Sequence, residues 1–397
     1  MASLKGISVR NGLFSDLRSE GFKVHTVAEA GPPFILSSKI DLPLPAAWRP
    51  PHDIGSLPAE YAVVEDCYVF PNGAVLVGDR YFYREMLFLN WKRRDRIPHL
   101  SRNTRYDPVE DKVYIEADYP VVRMDGPMFV ATNFRNKNFY HFVHDVLARS
   151  LCLEAAERQL DAKLPVLMSK TEFQMQAVLS RAVFGRRAVR HPKGAIVHLA
   201  RAIIPRKAAD GPNICRPAFD HLRAKLARAF PHNPRPRRKL YVSRKDGTNT
   251  SFNRELANEE SLQERLARYG FEVMTLSTLS PQAQLEAFTS AAVIAGMHGA
   301  GLTNMILMPE GGAVLEISGV PLTPPLYARD ARMLDFEYFL AQTEMTEGGV
   351  CVDPDAVEGA LIRFGGESKL LPPIRQRARL FRSDEETRHM PRQNIEE

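Results

Sequence analysis

The sequence predicts an α/β protein organised as two domains. Its 397 residues are 44% hydrophobic and 25% charged, which is the composition of an ordinary globular chain whose length favours two cores over one. Short apolar runs alternate with amphipathic helical stretches along most of the chain, a pattern typical of parallel sheets with helices on their faces. Three prolines within residues 231–236 disfavour regular structure and mark the boundary between the two domains.

Residues 1–230 form the predicted first domain. Its first sixty residues are rich in proline and glycine, so we expect extended or loop structure there. Short β-type runs follow between residues 61 and 131. A helix of about twenty residues from Asn138 then opens an alternation of strands and helices that continues to residue 229.

Residues 231–350 form the predicted second domain, where the alternation is clearest. Its segments are predicted as strand 239–243, helix 258–269, strand 271–276, helix 280–290, strand 292–295, helix 302–308 and strand 313–317. This order is typical of a compact Rossmann-like domain. Residues 351–397 are predicted to form a C-terminal helix and a charged tail that is disordered after Arg382.

Charge, hydropathy and cysteine content exclude several classes of function. No segment reaches the roughly 18 apolar residues of a membrane span, and the first thirty residues lack a signal-peptide pattern, so we expect a cytoplasmic protein. The net charge of +6 includes basic clusters such as 234–239, interpreted as solvated surface or as attraction to anionic ligands or the inner membrane face. These clusters lack interleaved aromatic residues, so nucleic acid is not an expected partner. The four scattered cysteines predict neither a zinc site nor a redox site.

The most informative stretch is an apolar strand that runs into a glycine-bearing turn and then a helix, at residues 291–304. Small residues there let the backbone approach a ligand, and the free N–H groups at the predicted helix start suit a diphosphate. The candidate diphosphate-binding residues are His298, Gly299, Ala300, Gly301, Leu302 and Asn304. A tight turn whose histidine only satisfies a loop carbonyl is the structural alternative.

A second group of candidates lies on the helix that begins at Asn138. At 3.6 residues per turn, Asn138, His141, Asp145 and Arg149 form one polar stripe on an otherwise largely apolar helix. A carboxylate one turn from an imidazole can fix its tautomer and raise its basicity, so His141 is a candidate general base. A structural network that caps the helix start is the alternative, and Asp145 itself could be the base. His144 lies off the stripe and is expected to be an ordinary residue.

A third group follows the strand at 239–243. Ser243 and Arg244 end this strand and Arg254 comes shortly after it, and a guanidinium fork suits phosphate oxygens. Glu316, near the end of a later strand, is positioned to accept hydrogen bonds from a ribose diol. Surface ion pairs are the alternative for each of these charged residues.

The combination resembles glycosyltransferase family 61. The segments that carry the resemblance are Asn138–Arg149, Tyr241–Arg244, Arg254 with Asn258–Glu259, and His298–Asn304 with Glu316. Four linked segments in this order are more specific than any one of them, and together they cover about residues 130–320. Two positions depart from the family pattern: Ala148 stands where proline is frequent, and Phe142 where tryptophan is common. Neither removes a reactive group.

The resemblance implies a GT-B-like fold, in which two Rossmann-like domains face each other across a cleft. The second domain would hold a UDP-sugar, and the first would hold a glycan or lipid-linked acceptor with support from Asn138 and Arg149. Inversion at the anomeric carbon without a required metal or other cofactor is implied as well. Since no signal anchor is apparent, the chain is similar to bacterial members that act in capsular or surface polysaccharide biosynthesis.

Two other functions fit parts of the sequence. An α/β-hydrolase can use a His-Gly oxyanion turn like that at His298, but the chain has no Gly-x-Ser-x-Gly nucleophile elbow. A non-catalytic nucleotide-sugar-binding scaffold would keep the phosphate site and need no base, which the polar stripe argues against. The pair Asp353 and Asp355 lies beyond the predicted donor-site strands, so a metal role for it is not favoured.

Overall fold

Two large sheets organise the protein, which is an α/β structure. The computed structural model describes residues 8–31, 34–35, 53–82, 104–210, 213–245, 256–318, 326–347 and 349–367, except positions 13, 20, 72, 79, 108, 111, 116–117 and 134–135. Within these ranges, no helix combines the length and the apolar character that crossing a membrane requires. Arg254 and the predicted tail after Arg382 lie outside the described residues.

The first sheet has 11 strands and mixes parallel with antiparallel pairs. Its strands are β1 (Ser8–Gly12), β2 (Lys23–Ala28), β5 (Ala59–Val69), β6 (Val75–Val77), β7 (Arg80–Phe82), β8 (Thr104–Asp107), β9 (Lys112–Ile115), β10 (Val121–Val130), β11 (Val166–Met168), β12 (Ala188–Arg190) and β13 (Ile196–Pro205). Two short pairs lie apart from it, β3 (Phe34–Ile35) with β4 (Asp53–Ile54) and β14 (Ala209–Asp210) with β15 (Asn213–Ile214).

The first sheet has two parallel parts, and the smaller is the pair of β1 with β7. Strands β12, β11, β10 and β13 pair in parallel in that order, as the strand and helix alternation predicts. Beyond them β13 pairs antiparallel with β5, from Val197 opposite Val69 to Pro205 opposite Tyr61. Strand β13 thus links the larger parallel part of the sheet to an antiparallel part. We call residues up to 230 the first half of the protein and the residues after them the second half. The helices of the first half are α1 (Phe14–Ser19), α2 (Phe139–Asp145), α3 (Ser150–Leu160), α4 (Gln174–Phe184) and α5 (Arg216–Ala229).

The second sheet has six strands in the order β17-β16-β18-β19-β20-β21, and only β21 runs antiparallel to its neighbour. These strands are β16 (Arg238–Val242), β17 (Phe271–Met274), β18 (Ala291–Met297), β19 (Ala313–Ser318), β20 (Glu337–Thr346) and β21 (Gly349–Val352). Every residue of β18 and β19 is buried, because helices cover both faces of the sheet. Chain order reverses between β16 and β18, where doubly wound sheets form a ligand crevice beyond their carboxyl ends.

The helices of the second half differ from the sequence prediction in two respects. They are α6 (Glu259–Ala267), α7 (Pro281–Thr289), α8 (Leu326–Met333) and α9 (Pro354–Glu367), with 3₁₀ helices at Leu276–Thr278 and Ala300–Leu307. The helix predicted from Leu302 is thus a 3₁₀ helix that begins at Ala300. The sequence did not indicate α8, because Arg329 and Asp330 occupy buried positions where an amphipathic pattern requires apolar residues.

One hydrophobic core joins the two halves at their junction. Phe142 and Leu147 of the first half belong to the same buried cluster as Leu302 and Met305 of the second. Helix α2 packs against the 3₁₀ helix at Ala300–Leu307, and α5 contacts that helix as well. The junction is therefore a packed interior in the region where the predicted site residues lie.

A buried polar network crosses this junction between α2 and α8. Asp330 Oδ1 accepts hydrogen bonds from Arg329 Nε at 3.0 Å and Nη2 at 2.6 Å, while His144 Nε2 donates to Asp330 Oδ2 at 2.8 Å. Arg329 Nη2 also donates to the Tyr140 hydroxyl at 2.7 Å, and the Tyr140 ring stacks on His144 at 3.9 Å. Burial alone would raise the pKa of Asp330, but Arg329 and His144 outweigh it and hold that pKa below its usual value. His144 is thus a link between the two halves, in contrast to the ordinary role expected from sequence.

We predict that Asp330→Asn destabilises the protein by about 3 kcal/mol or more, because it leaves the Arg329 guanidinium buried without its counter-charge. Asp335→Asn is the matched control at the end of the same helix, where the carboxylate pairs with Arg332 in solvent. Chemical denaturation of both variants measures the difference. Equal midpoints for the two variants would show that the buried pair does not stabilise the junction.

Candidate functional site

The carboxyl ends of β16 and β18 bring three of the predicted donor residues together. Ser243 and Arg244 follow β16, His298 follows β18, and Arg244 Nη1 donates to the carbonyl oxygen of His298 at 3.0 Å. The Ser243 hydroxyl accepts a hydrogen bond from the backbone N–H of Lys245 at 3.3 Å, which shapes the end of the strand. These residues lie at the switch point of the second sheet, where its topology predicts a ligand.

The imidazole of His298 is held by a buried carboxylate. His298 Nδ1 hydrogen bonds to Glu316 Oε1, and the Tyr338 hydroxyl donates to Glu316 Oε2 at 2.6 Å. Burial and the nearby Glu316 together raise the pKa of Tyr338 well above its usual value. Glu316 is only 1% exposed and both of its oxygens accept hydrogen bonds from the protein, so it does not suit the ribose contact expected from sequence. Its geometry instead fixes the orientation of the His298 ring.

The two glycines of the turn after β18 are closely packed. A Cβ placed on Gly299 would overlap Arg244 Nη1, and one placed on Gly301 would come 2.8 Å from Val242 Cγ1. The backbone therefore passes directly against the guanidinium of Arg244. The sequence interpretation was that small residues let the backbone come close to other groups, and the contact with Arg244 supports it.

Two other residues of this turn act within it. The backbone N–H of Leu302 donates to the carbonyl oxygen of Gly299 at 3.0 Å, so it is not a free donor at a helix start as the sequence indicated. Asn304 Nδ2 donates to the carbonyl oxygen of Gly301 at 2.9 Å and is buried. Both therefore stabilise the turn, and the 3₁₀ helix begins at Ala300 and not at Leu302 as predicted.

Tyr327 is a residue of this site that sequence reasoning missed. Its hydroxyl donates to the carbonyl oxygen of Gly299 at 2.6 Å, and its ring lies edge-on to His298 with centroids 5.1 Å apart. It comes from α8, a helix that the sequence pattern did not reveal. Tyr327 therefore holds the turn from the side opposite β16.

The first half contributes a second histidine and carboxylate pair. His141 Nδ1 and Asp145 Oδ2 lie 2.8 Å apart, with the His141 side chain 15% exposed and Asp145 almost fully buried. Lys207, also missed from sequence, places its Nζ 3.6 Å from Asp145 Oδ1. Burial alone would raise the pKa of Asp145, but Lys207 and then His141 hold it well below its usual range. Asp145 is therefore an anion that can orient His141 with its Nδ1–H directed inward and its Nε2 on the opposite side of the ring.

The remaining residues of the predicted stripe have separate local environments. Asn138 Oδ1 accepts a hydrogen bond from the backbone N–H of Tyr140 at 2.9 Å, so this side chain caps α2. Arg149 ends the 3₁₀ helix at Leu147–Arg149 and is 7% exposed, and its charge contributes to the low pKa of Asp145. The structure thus gives Asn138 the capping role and leaves Arg149 beside the histidine and carboxylate pair.

Two tyrosines connect the two histidine sites across the junction. The Tyr140 ring lies edge-on to His141 at 5.3 Å and edge-on to Tyr327 at 5.9 Å, and Tyr327 in turn contacts His298. The polar groups predicted from separate segments of the sequence are therefore gathered around one aromatic pair. Such an arrangement can place a base and an anion-binding turn on either side of one substrate complex.

The Asp353 and Asp355 pair has a structural role. Asp353 Oδ1 accepts from the backbone N–H of Asp355 at 2.9 Å at the start of α9, and Asp355 forms an ion pair with Arg265 at 2.7 Å. In the part of the chain that the structure describes, no cluster of three or more histidine, cysteine or acidic side chains has the geometry to hold a metal ion.

Comparison with protein-family models matches residues 139–315 to the family described as Glycosyltransferase 61. The match confirms the resemblance seen in the sequence, and a search of curated proteins found no matching relative. The matched segment begins with α2 and ends within β19, so it contains His141, Asp145, Arg244 and His298. The match supports glycosyltransferase activity, which requires a sugar donor and an acceptor.

We predict that Gly299→Ala lowers the affinity of the protein for a nucleoside diphosphate by about tenfold or more. The added methyl group displaces the Arg244 guanidinium, and a hydrogen bond to a charged group contributes about 1.5–3 kcal/mol. Gly359→Ala is the matched control, because a Cβ there meets nothing within 4 Å. Isothermal titration with UDP measures the affinity of both variants. Unchanged affinity in Gly299→Ala would show that Arg244 does not contribute to diphosphate binding.

Proposed function

We propose that this protein is an inverting glycosyltransferase that moves a hexosyl or pentosyl group from a UDP-sugar to a glycan or lipid-linked acceptor. The observation that carries the proposal is the meeting of two histidine and carboxylate pairs, His141 with Asp145 and His298 with Glu316, around Tyr140 and Tyr327. In this proposal the two halves face each other in a GT-B-like arrangement. The first half supplies the acceptor side and the second half supplies the donor side.

The acceptor side of the reaction rests on His141. Its Nδ1–H points to Asp145, so the lone pair on Nε2 takes the proton of an acceptor hydroxyl. As that proton moves to His141, the acceptor oxygen forms a bond to the anomeric carbon from the face opposite UDP. The bond from the anomeric carbon to the phosphate oxygen breaks with its electron pair, and UDP leaves. One displacement of this kind inverts the anomeric configuration.

The donor side stabilises the charge that develops on the departing diphosphate. Arg244 lies against the turn at Gly299, and His298, held through Nδ1 by Glu316, presents Nε2 on the other side of its ring. Arg254 is proposed from sequence to add a third cationic group. Preorganised cationic donors can take the role that a divalent ion has in other transferases, so we propose a metal-independent reaction without a cofactor.

The proposed setting is the synthesis of a capsular or other surface polysaccharide, with the protein in the cytoplasm and in peripheral contact with the inner membrane face. The support is the set of basic clusters at residues 92–94, 234–239 and 375–379, which suit an anionic membrane surface. A lipid-linked acceptor would place the reacting sugar at that surface.

We predict that the protein releases UDP slowly from one member of a panel of UDP-sugars and that EDTA does not change the rate. Arg244→Ala and His298→Ala are expected to lose this release, because each removes a group that stabilises the leaving diphosphate. Failure to bind or hydrolyse any UDP-sugar would contradict the donor assignment. Loss of activity with EDTA that added metal restores would contradict metal independence.

We predict that His141→Ala lowers kcat for sugar transfer by about 100-fold or more and changes the KM for the donor little, since general-base catalysis contributes about 10²–10⁴-fold. His198→Ala is the matched control, because His198 also pairs with an aspartate, Asp66, but lies outside the site. Steady-state kinetics with the acceptor that the screen identifies measures both. Near wild-type kcat in His141→Ala would contradict the assignment, and retention of configuration in the product, read from its anomeric NMR coupling, would contradict inversion.

A further inference from the structure

We propose that Arg149 and Lys207 form a binding subsite for an oxyanion, so that the acceptor carries a carboxylate or a phosphate near the hydroxyl that reacts. This inference rests on the proposed function and names the substrate class of its acceptor side. The subsite lies next to His141 and on the first half of the protein, whereas the groups assigned to the donor diphosphate lie on the second half, beyond Tyr140 and Tyr327.

The first observation is the burial of two cations in one place. Arg149 is 7% exposed and Lys207 is 4% exposed, and both charges act on Asp145. A buried charge costs free energy unless a partner of opposite charge compensates it. Asp145 supplies one negative charge, and its Oδ2 also holds His141. One carboxylate therefore faces two buried cations and an imidazole.

The second observation is that Arg149 Nε is buried and has no hydrogen-bond partner among the described residues. A guanidinium normally directs its planar N–H groups at a carboxylate or phosphate, in geometry that an ammonium group does not reproduce. An unpaired buried Nε beside a candidate base therefore points to a ligand oxygen.

The third observation concerns the nearest other carboxylate. Both Arg149 and Glu60 act electrostatically on Cys152, so Glu60 lies in the same region. Its two oxygens, however, already accept from Arg18 at 3.0 Å and from Arg206 at 2.8 Å. Glu60 is therefore occupied by other arginines and does not serve as the partner of Arg149 Nε.

The position of the subsite indicates that the anion belongs to the acceptor and not to the sugar donor. Arg149 and His141 both act on Asp145, so an anion held by Arg149 lies near the proton acceptor for the incoming hydroxyl. A uronic acid carboxylate and the phosphate of a phosphorylated sugar or lipid-linked sugar share this chemistry. A neutral acceptor would leave Arg149 Nε without a charged acceptor.

The test is isothermal titration of the full-length protein with methyl glucuronide, glucose 6-phosphate and methyl glucoside. We expect one of the two anionic sugars to bind and the neutral sugar to bind at least tenfold more weakly. Binding of methyl glucuronide would identify the acceptor anion as a carboxylate, and binding of glucose 6-phosphate would identify it as a phosphate. Arg149→Met should abolish this preference. Arg158→Met, an exposed arginine on the adjacent helix, should retain it. Equal binding of all three sugars, or an unchanged preference in Arg149→Met, would overturn the proposal.

Thermal denaturation separates this role from a structural one. If Arg149 served only as a counter-ion for Asp145, Arg149→Met would lower Tm and leave sugar preference unchanged. An oxyanion subsite predicts a Tm that is unchanged or higher without sugar, because a buried N–H donor without an acceptor has been removed. UDP release from the donor, measured without acceptor, distinguishes the two proposals. Donor turnover without anion preference would contradict the subsite alone, and anion preference without turnover of any donor would contradict the proposed transferase.

Discussion

The buried contact between α2 and α8 is the constraint on which the rest of the site depends. Asp330 compensates Arg329 and at the same time binds His144, while Arg329 reaches the hydroxyl of Tyr140. Each of these groups would be costly to bury alone, so the network is stable only when the two halves meet in this register. This network fixes the relative position of the two histidine sites, because Tyr140 contacts His141 and lies beside Tyr327.

In each half, a buried carboxylate orients one histidine ring. A buried carboxylate binds Nδ1 of the ring, Asp145 in the case of His141 and Glu316 in the case of His298, and so orients the opposite nitrogen. The surroundings of the two carboxylates differ: Lys207 and Arg149 surround Asp145 with positive charge, whereas Tyr338 gives Glu316 a neutral donor. The same side-chain pair can therefore serve proton transfer in one half and diphosphate stabilisation in the other.

Sequence reasoning found the parts of the site that depend on local spacing. The apolar runs of β16, β18 and β19 predicted strands close to their observed bounds, and the interval of four residues between His141 and Asp145 predicted their contact. Contacts between distant segments were not predictable in this way. His144 meets Asp330 across 186 residues, and Lys207 and Tyr327 reach the site from segments with no distinctive motif. The antiparallel part of the first sheet was missed for the same reason, because the pairing of β13 with β5 is non-local.

The central claim is that one substrate complex lies between the two histidine sites, and the position of UDP in a crystal of the complex tests it most directly. The account predicts that the diphosphate lies between Arg244 and His298, with its terminal phosphate directed toward His141. UDP bound away from the turn at Gly299, or with its terminal phosphate directed away from His141, would contradict the account.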